Sequence, residues 1–392
     1  MKKILLSEPI LSTKDSKNLI KTLKSGWVST AGKKIILFEN MISKFTKAKY
    51  CIACNSGTSA LHIALKVLNV RKGDEVLVPS ISFIATINAI KYNNANPIFM
   101  DVDDNFNIDE NKVIEFLKKN TKKKNKNCLN KKTKKKIKAI IIAHIWGGAA
   151  KVKNLIKVCR KRNIRIVEDA AESLGSFYKK DYLNNKHTGT VGDIGILSFN
   201  GNKIITSGAG GMILTKYKFL EKECRYLINQ AKDNEFFLHN QIGYNYKMPN
   251  LNASLGISQM QSLKKILFLK RKVYFDYLSI FKNSKIFSIL KYSNISTNNN
   301  WMVVLLLKKN INKSFIDYLI KGVSKKIQFR KVWIPNEKQK QYTKYQKYKI
   351  NKSGYLYKNS ICTPSSADLT YKEIKYIFNN IEKSYENFIN SK

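Results

Sequence analysis

One lysine stands between a strand end that carries a hydroxyl and a run of glycines. Ser198-Phe199-Asn200-Gly201-Asn202-Lys203 leads through Ile204-Ile205-Thr206-Ser207 to Gly208-Ala209-Gly210-Gly211. Upstream, Val167-Glu168-Asp169-Ala170-Ala171-Glu172-Ser173 carries an aspartate out of an apolar strand. A lysine amine can hold pyridoxal phosphate as a Schiff base, and an aspartate facing the pyridine nitrogen keeps that ring protonated, so that it accepts electrons from a substrate carbanion. The two residues together imply a pyridoxal phosphate site. Lys203 alone would read as a surface lysine, the usual fate of the type; the flanking glycines, Ser198 and Asp169 argue for the confined approach that a nucleophilic amine needs.

Asn55-Ser56-Gly57-Thr58-Ser59 precedes a helical run. Gly57 and Thr58 there can aim backbone amides and a hydroxyl at a phosphate, where the helix dipole favours negative charge. Phe83 follows Val78-Pro79-Ser80-Ile81-Ser82, just past a strand end, where it could stack on the ring or simply pack in the core. Glu172 would share a face with Asp169 if the chain turns helical there, placing it near the cofactor's phenolic oxygen; a helix cap is its competing role. The histidines have no metal-ligand spacing, so no metal site is expected, and no Ser-His-Asp order or nucleophile elbow supports hydrolysis.

The elements that must position these residues alternate. Strands are expected at Tyr50–Cys54, Glu75–Val78, Pro97–Asp101, Ile137–His144, Ile164–Val167, Ile194–Phe199 and Gly211–Thr215. Helices are expected at Ala60–Leu68, Phe83–Lys91 and Val152–Arg162. That order predicts an α/β fold, a mainly parallel sheet flanked by helices, with ligands at the carboxyl ends of its strands. A long helix over Ala253–Phe281, a strand over Trp301–Leu307 and a last helix over Tyr371–Ile389 predict a smaller α+β domain. The expected division is 1–255 and 256–392. Between Lys118 and Lys138 a lysine- and asparagine-rich segment reads as a solvated excursion, because like charges repel; a basic flap near a diphosphate is the alternative.

The 392 residues carry a formal net charge of +45, which raises nucleic acid as a partner. Of the 72 basic residues, however, only Arg71, Arg160, Arg162, Arg165, Arg225, Arg271 and Arg330 are arginines. Planar forks that read guanine or clamp phosphate are scarce, and the Lys, Asn and Ile content fits an AT-rich coding sequence. No specific nucleic-acid partner is expected. Apolar runs are too short to span a bilayer and Ile4-Leu5-Leu6 is too short for a signal peptide, so a cytoplasmic enzyme away from the membrane is expected. The scattered cysteines suit a reducing compartment, and Cys51-Ile52-Ala53-Cys54 reads as a buried strand rather than half of a zinc or redox site.

These motifs resemble those of the DegT family (DegT/DnrJ/StrS) of sugar aminotransferases, of the fold-type-I class of pyridoxal phosphate enzymes. The resemblance runs from Leu6-Ser7-Glu8-Pro9 through Gly26-Trp27-Val28-Ser29, Asn55–Leu61, Pro79–Thr86, Val167–Gly175, His187–Gly211 and Gly243–Asn250 to Arg330-Lys331-Val332-Trp333. Ser198–Lys203 and the lysine-rich insert are similar to the branch acting on UDP-linked 4-keto-6-deoxy-N-acetylhexosamines in legionaminic-acid-type pathways. The resemblance implies that Lys203 anchors the cofactor and moves the substrate proton. It implies that Asp169 pairs with the ring nitrogen, Phe83 stacks, and Gly57, Thr58 and Ser198 hold the phosphate. Asn245 would reach the phosphate of the neighbouring subunit, making the active unit a homodimer with shared sites. Gly26, Trp27, Val28, Ser29, Lys247, Trp301 and Arg330 match positions near the nucleotide sugar. Lys247 departs from the arginine frequent there and loses the planar fork. The implied reaction is ping-pong, with glutamate as donor and a nucleotide keto-sugar as acceptor, in polysaccharide biosynthesis. Amination at carbon three, a dehydratase and a non-catalytic pyridoxal-phosphate-binding regulator are the alternatives. Dehydratases resembling this family carry histidine where Lys203 stands.

Overall fold

The computed structural model describes residues 3–233 and 237–391. Among them the expected apolar runs become strands covered on both faces, as a parallel sheet requires. The large sheet runs in the order Tyr50–Cys54, Gly211–Thr215, Ile194–Ser198, Arg165–Asp169, Ile137–Ala143, Glu75–Pro79, Asn96–Met100, Lys347–Tyr348. Neighbours are parallel from Ile194–Ser198 outward to Lys347–Tyr348, and Gly211–Thr215 alone among them is antiparallel to both its neighbours. Because side chains alternate along a strand, the edge strand feeds two cores. Cys51 and Ala53 join Phe38, Met212 and Met260, whereas Ile52 and Cys54 join Ile63 and Ile213. All six cysteines are buried and unpaired.

A second, antiparallel sheet is built from Phe287–Ile289, Val303–Leu307, Ser360–Thr363 and Arg330–Lys331. Its core of Phe287, Leu305, Phe315 and Ile374 is shared with the helices Ser314–Val323 and Tyr371–Asn390. The last of these starts at a capping box between Thr370 and Glu373. The helix Asn250–Ile280 links the two sheets. It begins three residues before the expected Ala253, after Pro249 in extended conformation. The expected division at 255/256 falls inside this helix, and Lys347–Tyr348 returns to the large sheet.

The lysine-rich segment is a hairpin, Thr121–Lys124 against Asn127–Asn130. Its lysines Lys122, Lys123, Lys124 and Lys126 are exposed, while Thr121, Cys128 and Asn130 turn inward, so a polar run pairs without a hydrophobic strand pattern. No helix among the described residues is long and apolar enough to cross a membrane.

Candidate active site

The register of the large sheet brings Cys54, Gly211 and Ser198 level, with Asp169 level with Ile196 and Ala143. The carboxyl ends of the parallel strands therefore share one edge, where such sheets gather ligands. A cavity of about 320 Å³ opens there, lined by Gly57, Thr58, Phe83, Asp169, Glu172, Ser198, Lys203, Trp301 and Arg330.

At one end the helix Gly57–Val67 points its N-terminus into the cavity. Ser56 caps it, its Oγ accepting the Ser59 N–H at 3.0 Å. The first N–H groups of a helix have no partner within it, so those of Gly57 and Thr58 suit an anion beside the Ser198 hydroxyl. Space there depends on missing side chains. A Cβ on Gly57 would sit 3.0 Å from that of Ser198, and one on Gly211 would lie 2.3 Å from the Ser56 carbonyl oxygen.

In the same cavity Lys203 leaves a turn closed by its N–H on the Asn200 carbonyl at 3.0 Å. Its Nζ lies 3.6 Å from Glu172 Oε1 and 4.3 Å from the centre of the Trp301 ring. Glu172 Oε2 accepts the Trp146 N–H at 2.9 Å. Burial pushes the Glu172 carboxyl up to about 7, against the pull of Lys203 and that N–H. No helix follows Asp169; the chain makes turns over 171–175, so Glu172 neither caps a helix nor reaches its place by helical spacing.

Asp169 is 7% exposed. Its Oδ2 accepts the Thr86 hydroxyl at 2.7 Å and its Oδ1 the Ala171 N–H at 3.2 Å. Phe83 is 53% exposed and lines the cavity, so it is not a core residue. Behind Asp169, buried Glu168 receives the N–H groups of Gly189, Val191 and Gly192 at 3.0, 2.7 and 2.6 Å. His144 Nε2 lies 3.0 Å from the same carboxylate, and His144 Nδ1 accepts the Ala150 N–H at 3.1 Å, which puts the ring proton on Nε2. Burial alone would raise Glu168; these donors hold it below its ordinary range. The His144 backbone N–H donates to the Asp169 carbonyl at 3.0 Å. That network fixes the strand end carrying Asp169.

Arg330 offers Nε and Nη2 from the cavity wall, both buried and without a hydrogen-bond partner among the described residues. A guanidinium so placed suits a carboxylate or phosphate oxygen.

The remaining predicted residues lie elsewhere in the chain. Asn245 is exposed, its carbonyl accepting Asn55 Nδ2 at 3.3 Å. Trp27 and Lys247 line a separate groove of about 1130 Å³, together with Arg225. The loop of Gly26, Trp27, Val28 and Ser29 is pinned to the start of the long helix, where Asn250 donates its N–H to Ser29 O at 2.7 Å and its Nδ2 to Trp27 O at 2.6 Å. Three contributors escaped the sequence reading of the site. Thr86 has a detectable signal, since it lies three residues beyond Phe83; Trp333 ends the motif that starts at Arg330 but is not singled out there, and Trp146 is placed by distant packing and has none.

The donor set fits pyridoxal phosphate, with an anion cradle, a buried carboxylate and an amine lining one cavity. A sequence profile described as the DegT/DnrJ/EryC1/StrS aminotransferase family matches residues 9–382. The chain is 32% identical over 389 residues to GDP-perosamine synthase of Escherichia coli O157:H7, covering 98% of this chain and 99% of that one. It is 24% identical over 401 residues to UDP-4-amino-4,6-dideoxy-N-acetyl-beta-L-altrosamine transaminase of Helicobacter pylori, covering 99% of each. Its fold matches the solved structure of Helicobacter pylori PseC, an aminotransferase involved in the biosynthesis of pseudoaminic acid, with a TM-score of 0.86 at 24% identity over 98% of this chain and 100% of that one. The chain belongs to the DegT/DnrJ/EryC1/StrS aminotransferase family and is a pyridoxal-phosphate-dependent aminotransferase of fold type I.

Proposed function

We propose that this aminotransferase moves an amino group from glutamate to the carbon-four ketone of a UDP-linked 4-keto-6-deoxy-N-acetylhexosamine, as in the legionaminic-acid-type branch that Ser198–Lys203 and the lysine-rich insert resemble. The observation that carries the chemistry is Lys203 Nζ 3.6 Å from Glu172, in one cavity with Asp169 and the helix N-terminus at Gly57. The UDP-linked, 4-amino, N-acetyl sugar in the name of the Helicobacter pylori transaminase supports the acceptor class. Bound pyridoxal phosphate supplies an electron sink in both half-reactions.

Gly57, Thr58 and Ser198 would hold the cofactor's phosphate, Asp169 its ring nitrogen and Glu172 its phenolic oxygen, and Phe83 would stack on its ring. Lys203 anchors the cofactor and moves the proton at the reacting carbon, first from glutamate and later to the sugar. Trp301 and Arg330 line the acceptor side. Gly26, Trp27, Val28, Ser29, Asn245 and Lys247 belong to a second copy's site in a homodimer; the exposure of Asn245 and the separation of Trp27 and Lys247 from the Lys203 cavity support that arrangement.

A GDP-linked 4-keto sugar is the second reading, favoured by the 32% identity to GDP-perosamine synthase. Incubation with glutamate and a panel of UDP-, GDP- and dTDP-linked 4-keto sugars, with the amino sugar identified by mass and NMR, tests both. The proposal predicts 2-oxoglutarate and a carbon-four amine from the UDP-linked N-acetyl substrate. Amination at carbon three, or turnover of a GDP-linked sugar alone, would refute it.

A further inference from the structure

We infer that Trp333 is the platform on which the pyranose ring of the acceptor lies, so that it selects the sugar and is indifferent to the amino donor. The inference rests on the nucleotide-sugar reading above.

Trp333 is half-buried and lines the same cavity as Lys203. One face is already taken, since its ring centre lies 4.4 Å from that of Trp146 with an interplanar angle of 27°. Trp146 is fully buried and stacks in turn on Trp301, at 6.0 Å and 16°. It is fixed by its backbone as well. Its N–H donates to Glu172, its carbonyl accepts the Tyr292 hydroxyl at 3.1 Å, and its φ of 57° is a left-handed conformation that a bulky residue keeps only where its surroundings impose it. Trp333 therefore has a rigid backing and one remaining face.

The position of that face relative to the cofactor side is also fixed. Phe83 lies 6.0 Å from Trp333, ring to ring. Asn336, three residues after Trp333, donates its N–H to Ser80 O at 2.7 Å and its Nδ2 to Ser82 O at 2.9 Å, and Ser80 Oγ donates to Glu337 at 2.6 Å. The segments bearing Phe83 and Trp333 are thus clamped together. If Phe83 covers the cofactor ring, Trp333 presents its plane to whatever is held next to that ring. The C–H face of a pyranose, with its positive hydrogens, complements the negative face of an indole. Glutamate has two carboxylates on a short chain and no comparable apolar face.

The test separates the half-reactions. In Trp333→Ala, the single-turnover rate with glutamate, read from the change in cofactor absorbance, stays within about twofold, while kcat/KM for the keto-sugar falls roughly tenfold or more, mainly through KM. Calorimetry supplies a readout without turnover. For UDP against UDP-N-acetylglucosamine, and for GDP against GDP-mannose, the variant loses the extra affinity due to the sugar and keeps that of the nucleotide. Trp333→Phe, which keeps a ring, stays near wild type. Should Trp333→Ala not retain cofactor, Trp333→Leu, which fills volume without a ring, is measured the same way with the same expectation. Equal losses in both half-reactions, or equal losses for nucleotide and sugar nucleotide, would overturn the inference. Wild-type protein that binds neither pair would overturn the nucleotide-sugar reading and this inference with it, whereas normal sugar-nucleotide binding by Trp333→Ala would overturn the inference alone.

Discussion

Glu172→Gln should change the way stability depends on pH. Glu172 lies with its side chain 6% exposed, one oxygen 3.6 Å from Lys203 Nζ and the other on the Trp146 N–H. Burial raises its pKa from 4.5 to about 7 in the folded chain. Between those values the native state holds a proton that the unfolded chain has released, so this group makes stability fall as pH rises. At about 1.4 kcal/mol per unit, the shift is worth on the order of 3 kcal/mol once the pH exceeds the folded value. His62 and His187, which burial depresses to about 4, act in the opposite sense between about 4 and 6.5, because there the unfolded chain binds the extra protons. Only a difference against wild type isolates Glu172. Glutamine keeps an oxygen for the Trp146 N–H and removes the titration. The measurement is urea unfolding of cofactor-free protein from pH 4.5 to 8, wild type against variant. Wild type should lose up to about 3 kcal/mol relative to Glu172→Gln across that window. A flat difference curve would mean that Glu172 ionises as it does in water, and the buried carboxyl beside Lys203 would have to be abandoned.

Lys203→Ala should abolish both the visible absorbance of the bound cofactor and turnover; a fully active variant would refute the assignment. Gly57→Ala puts a Cβ 3.0 Å from that of Ser198, so cofactor titration should show roughly tenfold weaker binding with the fold intact by circular dichroism, and unchanged affinity would remove Gly57 from the phosphate cradle. If Asn245 completes the neighbour's site, inactive Lys203→Ala and Asn245→Ala chains unfolded and refolded together should regain about a quarter of wild-type activity, since half of the dimers are hybrids with one intact site. No recovery, with dimers present by light scattering, would place Asn245 in its own chain's site.

What was legible in the sequence follows its local signals. Ser198 and Asp169 are readable because apolar strands end at them, and register alone brings them to one edge; Gly57 is readable because it opens a helix just after a strand. Glu172 was singled out for a helical spacing that the chain does not adopt; turns deliver it instead. The pairing of Lys347–Tyr348 with the large sheet is a two-residue event in a lysine- and tyrosine-rich stretch, without a period to detect. The hairpin at Thr121–Asn130 was hidden by its charge, since its inward side chains are Thr121, Cys128 and Asn130 rather than an apolar alternation. Trp146 takes its place from Glu172 and from Trp301 and Trp333, and the last two flank strands of the second sheet, so those contacts exist only after both sheets have come together.

The helix Asn250–Ile280 has a consequence for any attempt to dissect the molecule. Gly256 faces Phe38 closely enough that a Cβ would lie 2.7 Å from its ring, and Val273 and Tyr277 pack with Phe281 and Phe287 in the other core. One rod thus plugs both hydrophobic interiors. Scission near residue 255 would divide the lining of the first interior, leaving Phe38, Met248 and Ala253 on one fragment and Ile257, Met260 and Trp301 on the other, so swaps of acceptor preference between relatives should graft side chains around the pocket instead of exchanging whole carboxyl-terminal pieces.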